Sequence, residues 1–175
     1  SGSMVLNTAN SGTDGVSGSM LLQTGDSASG TSGSISVVTG DSVSRHGGHI
    51  ALSVGSGDDG YAGNVTVVAG EQTGISSKES SGGAVLVTSG SSTSTSSGVI
   101  QLTTADAGTA GVSGTVNITT GVATLGQAGA VNVTTGYSEN GKGGDISMQV
   151  GASTSGAGGF IRLSAGNTTD VGKTG

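Results

Sequence analysis

The sequence predicts an all-β protein, a single-stack β-solenoid of about eleven coils of about 15 residues with a flattened cross-section. Three observations lead there. A glycine-opened unit recurs along the chain, each unit carries one short stretch of alternating aliphatic residues, and no stretch has helical spacing of its apolar residues.

The unit reads Gly–x–h–x–h–x–small–Gly, where h is aliphatic, followed by about seven Gly, Ser, Ala, Thr and Asp residues. Units open at Gly2, Gly18, Gly33, Gly48, Gly63, Gly83, Gly98, Gly114, Gly129, Gly144 and Gly159. Their spacings are 16, 15, 15, 15, 20, 15, 16, 15, 15 and 15 residues, so a single loop, Glu71–Gly82, carries a long insertion. A constant short period with one alternating stretch per unit is the signature of a stacked repeat. Residues 1–175 are thus expected to form one repeat domain, a segment of a longer array or filament, with an inserted loop near 71–82.

Within Gly33–Gly40, alternation puts Ile35, Val37 and Thr39 on one face. The equivalent triplets include Met20/Leu22/Thr24, Ile50/Leu52/Val54, Ile100/Leu102/Thr104 and Ile161/Leu163/Ala165. The first two columns are aliphatic and the third is small, which places the third near a tight corner. Stacking at about 4.8 Å per coil predicts aliphatic ladders inside a rod roughly 50 Å long. The return segments, such as Asp26–Ser32 and Asp41–Gly47, begin with Gly–Asp turns. Ala152–Ser155 is a candidate second short strand.

Composition fits a thin core. Apolar residues make up 31% of the chain and charged residues 9%, with 37 glycines. Disordered chains combine low hydrophobicity with high net charge, but the net charge here is only −6 and the apolar residues keep fixed offsets. Proline is absent, which argues against collagen-like and proline-rich spacer structures. Without cysteine there is no disulfide framework and no thiolate chemistry.

Outward positions carry the candidate functional surface. Thr88, Thr103, Thr119 and Thr134 form one rank over four units, and Gln101, Asn117 and Asn132 lie beside it. Together these seven are the candidate flat binding face. The N-terminal part of the same face is more apolar, with Val5, Leu21, Val38 and Val68, and would suit side-by-side packing with another copy. The chain resembles Gly/Ser/Thr-rich repetitive β-solenoids of the short-coil fibre and adhesin type, and it partly resembles ice-binding β-solenoids, which present ranks of threonine on a flat sheet. The second resemblance covers a single threonine rank rather than two. The first implies a non-enzymatic structural or adhesive extracellular protein acting as a rigid rod or fibre segment. The second implies an antifreeze protein that binds ice through Thr88, Thr103, Thr119 and Thr134. A polysaccharide-binding module is a further alternative, although Tyr61, Tyr137 and Phe160 are few aromatics for a sugar-stacking groove.

Expected partners follow from the same surface: self-association side by side or end to end, or a flat, repetitive surface such as ice. The chain begins on a repeat and stops where another would start, which also suggests end-to-end stacking or a longer array. Without a Lys/Arg-rich tract nucleic acid is not expected, and no apolar run is long enough to insert into a membrane. An extracellular or cell-surface location is the expectation. Asn–x–Thr sequons stand at Asn64, Asn117, Asn132 and Asn167. No enzyme activity, cofactor or metal is expected. Asp26, Asp41 and Asp58–Asp59 occupy related turns but lack the nine-residue calcium-roll period. His46 and His49 have no clustered partners, and the scattered acids offer no hydrolytic pair.

Overall fold

Every unit takes six residues from its opening glycine to a small residue, and after each of the first ten the chain turns out into a loop and comes back beside that residue. This arrangement is seen in a computed structural model that describes residues 2–74 and 81–168. The chain divides into two units, Ser1–Val87 and Thr88–Gly175. In the first, the loops close where Thr8 meets Gly18, Thr24 meets Gly33, Thr39 meets Gly48, Val54 meets Gly63 and Ala69 meets Gly83. In the second they close where Ser89 meets Gly98, Thr104 meets Gly114, Thr120 meets Gly129, Thr135 meets Gly144 and Val150 meets Gly159.

The step from opening glycine to neck residue is constant: Gly18 to Thr24, Gly33 to Thr39 and Gly98 to Thr104 are each six residues. All variation in the period therefore falls in the loops. A Cβ added to Gly33 or Gly48 would lie 3.3 or 3.2 Å from the Cβ and Cγ2 of the facing threonine. At Gly33, Gly48, Gly63, Gly144 and Gly159 the neck leaves little room for a side chain, whereas at Gly98 and Gly129 an added Cβ would meet its neighbours at ordinary contact distance. Two necks are also joined through the backbone, Gly83 N–H donating to the Gly70 carbonyl and Gly98 N–H to the Gly90 carbonyl, both at 2.9 Å.

Bends follow the neck residue at a regular offset, at 28–30 after Thr24, 43–45 after Thr39, 58–60 after Val54, 93–95 after Ser89 and 124–126 after Thr120. Gly60 ends its bend at φ +78°, a left-handed conformation natural to glycine. Where the bend ends on another residue, a serine three positions earlier holds it. Arg45 N–H donates to Ser42 Oγ at 3.1 Å, and Thr95 N–H donates to Ser92 Oγ at 3.0 Å. Hydroxyl groups at such positions stabilise turns locally, without a core.

The predicted all-β solenoid is not the fold. Among the described residues there is no strand and no helix, so the stacked coils, the flattened sheet walls and the interior aliphatic ladders do not form. The second strand expected at Ala152–Ser155 is absent as well, since 154–156 is a bend. The physical reason is visible at the necks. A solenoid closes each coil onto the coil 15 or so residues away, whereas this chain closes onto itself over nine residues, as from Thr24 to Gly33. Each unit offers two large aliphatic side chains and no facing apolar wall, while its glycines raise the entropy cost of ordering.

Burial is correspondingly low. No residue is buried among those described. Thr8, Thr24, Ala69, Ser89, Thr104 and Ser138 are half-buried, and all but Ser138 are neck residues. The accessible surface is 17799 Å². A compact monomer of 16.3 kDa would expose about 7,500 Å², and its fully unfolded chain about 24,000 Å². Of the inserted loop expected near 71–82, residues 75–80, including Lys78 and Glu79, lie outside the described residues.

Candidate functional site: the exposed aliphatic segments

Between consecutive loops the chain runs without a bend, as over Gly33–Gly40 or Gly98–Ala105. These stretches carry the two aliphatic columns, and both columns face solvent. From Met20 onward first-column residues expose a narrow range of their surface, from 51% at Ile35 to 63% at Val65, while Met4 in the first unit exposes 87%. Second-column residues expose 65% at Val37 to 85% at Leu52. Apolar residues at the loop bends are fully exposed, with Val43 at 102% and Leu125 at 101%. From Met20 onward each offset thus keeps a similar exposure from segment to segment. The aliphatic pattern is a repeated surface, not a random one.

Charge avoids these segments. Of the acidic and basic residues only Asp145 and Arg162 lie between an opening glycine and its neck residue. Asp145 is already engaged, accepting a 2.7 Å contact from Lys142 Nζ across a three-residue step. The remaining acidic and basic residues stand in the loops or beyond the last segment. What the segments present is therefore mostly aliphatic, hydroxylic and amide side chains together with backbone N–H and C=O groups outside any ladder.

Thr88, Thr103, Thr119 and Thr134, with Gln101, Asn117 and Asn132, are all exposed and all lie in such segments. Gln101 Nε2 donates to Thr103 Oγ1 at 3.2 Å, joining neighbours of one segment. No sheet carries these residues, so the flat face that ice binding requires is not built. The rigid rod or fibre segment of structural or adhesive type is overturned for the same reason, since inter-coil ladders would have to supply its stiffness. A polysaccharide-binding module needs a groove, and no cavity opens among the described residues. The resemblances to fibre-type and ice-binding solenoids therefore do not extend to the fold.

His46 and His49 are exposed, and no group of three or more His, Cys, Asp or Glu residues comes together among those described. Asp26 and Asp41 stand at the start of their loops, and Asp58 and Asp59 lie on the bend that Gly60 completes. No helix among the described residues is long and apolar enough to cross a membrane. What sequence reasoning missed is the neck. Its signal was present: the six-residue step between opening glycine and small residue never varies, while the loop length does.

No protein-family model, curated protein or solved structure matches the chain.

Proposed function

We propose that the protein is a non-enzymatic homotypic association module, an open repeat chain whose aliphatic segments gain their cover from further copies of itself. One observation carries this reading: the aliphatic columns are exposed in unit after unit, with Ile35, Ile50, Ile100, Ile146 and Ile161 exposed to nearly the same degree. Apolar side chains exposed together in repeated short segments are a feature of interaction surfaces. The bend-free backbone supports the same reading, because N–H and C=O groups outside a ladder template pairing with another chain.

Sedimentation velocity and far-UV circular dichroism over a concentration series test it. Mass should rise with concentration, and a strand signal should appear in step with it. A monomer at every concentration, with an unchanging spectrum, would overturn the proposal.

A further inference from the structure

We infer that Asn140–Gly141 is a site of spontaneous deamidation, where the chain converts its own asparagine to aspartate and isoaspartate through a cyclic imide. The chemistry needs no second copy, so it stands apart from the association reading.

Three loop bends end on an acid or amide followed by glycine: Asp14–Gly15, Asp59–Gly60 and Asn140–Gly141. In each, a short side chain precedes a backbone nitrogen that has no Cβ beside it. A carboxylate carbon resists attack by a nitrogen nucleophile, whereas an amide carbon accepts it, so Asn140 is the reactive member. Of the seven asparagines in the chain it alone precedes glycine. Asn64, Asn117 and Asn132 precede Val65, Ile118 and Val133, whose branched Cβ atoms stiffen and crowd the attacking nitrogen.

The loop leaves the reaction free to proceed. Asn140 and Gly141 are both exposed and lie in the bend 139–141, between the neck residues Thr135 and Gly144. No backbone hydrogen bond engages the Gly141 N–H among the described residues. No ladder resists the rotation that brings this nitrogen to the side chain, and exposed backbone of this kind samples other conformations at little cost.

The step balances with water as the only co-reactant. The Gly141 nitrogen attacks Asn140 Cγ. The N–Cγ bond forms, the Cγ–Nδ2 bond breaks, and Nδ2 leaves as ammonia with the proton from the Gly141 nitrogen. Water then opens the imide. Cleavage at Cγ leaves aspartate, and cleavage at the main-chain carbonyl leaves isoaspartate, with the chain running through Cγ. Either product adds a negative charge between Glu139 and the Lys142–Asp145 pair.

Incubation of the purified chain at mildly alkaline pH, followed by peptide mass mapping, tests the site. Trypsin releases residues 79–142 as one peptide, so Asn117, Asn132 and Asn140 are compared within a single fragment. Asn140 should convert first, to isoaspartate as well as aspartate, while Asn117 and Asn132 remain amides. Gly141→Ala should slow the conversion about tenfold or more, equivalent to ~1.36 kcal/mol on the barrier. Its added Cβ meets only Ser138 Oγ, at 3.1 Å, and that hydroxyl can rotate aside. Equal conversion at all three asparagines, aspartate without isoaspartate at 140, or an unchanged rate in Gly141→Ala would each overturn the imide route. An Asn140 that stays an amide throughout would overturn the site itself.

Discussion

A Cβ placed on Gly63 would stand 2.8 Å from Val54 Cγ1, closer than real Cβ contacts come. Gly159 faces Val150 at the same distance. Valine at the neck thus leaves less room than threonine does, and these two necks tolerate a side chain least. Gly63→Ala should widen this neck, because either the Val54 side chain or the backbone must shift. The nuclear Overhauser contact between the Val54 methyl and residue 63 should vanish. Gly55→Ala, where an added Cβ meets nothing within 4 Å, should leave that contact in place.

A second prediction concerns the bends. Gly60 holds φ +78° with open space where a Cβ would go. Any cost of Gly60→Ala is therefore conformational rather than steric, about 1–2 kcal/mol. The Asp58–Gly60 bend should loosen, seen as changed backbone couplings at residue 60 and faster amide exchange in the loop. The same exchange measurement across the Val54–Gly63 neck separates a loosened bend from an opened loop.

Serine replaces glycine's role elsewhere. Ser92 Oγ accepts from Thr95 N–H at 3.0 Å and lies 2.9 Å from Thr95 Oγ1. Ser92→Ala should therefore speed amide exchange at Thr95, by about fivefold if the bond is worth about 1 kcal/mol. Its neck contact between Ser89 and Gly98 should persist, because the Gly98 N–H bond to the Gly90 carbonyl is independent of Ser92.

The Lys142–Asp145 pair should matter little on its own. Both side chains are largely exposed despite the 2.7 Å contact, and such pairs contribute at most about 1 kcal/mol, screened by salt. Lys142→Ala should leave the Thr135–Gly144 neck unchanged by nuclear Overhauser contacts. A lost neck would show that the pair closes its loop.

Much of the local order was legible in the sequence and the tertiary order was not. The period, the aliphatic columns and the small third residue could all be read directly, because each is a spacing. Alternation at Ile35 and Val37, however, says only that two side chains share a face. It does not say whether the next unit of the same chain or another molecule covers that face. The inference from repetition to stacked coils supplied that cover from within the chain. The necks show why it failed: Thr24 and Gly33 meet over nine residues, so the turn is completed before the following unit is reached. The candidate face at Thr88, Thr103, Thr119 and Thr134 depended on a sheet and could not outlast its loss.

Substitution in the columns separates a working surface from incidental exposure. Ile100 and Leu102 are exposed at 54% and 80% and belong to one bend-free segment. Val43 and Leu125 are more exposed still, but they sit on loop bends. If exposure alone drove association, Val43→Asp and Leu125→Asp would weaken it most. If the columns carry it, Ile100→Asp and Leu102→Asp should do so instead, because each places a carboxylate within an apolar column that association would cover. The double column variant should lose at least tenfold in association constant by sedimentation equilibrium, since burying a charge unpaired costs well over the ~1.4 kcal/mol that tenfold represents. The double loop variant should stay within about twofold, as surface changes away from an interface usually do. Equal losses in both variants would show that hydrophobicity in general, rather than the repeated segments, holds the copies together.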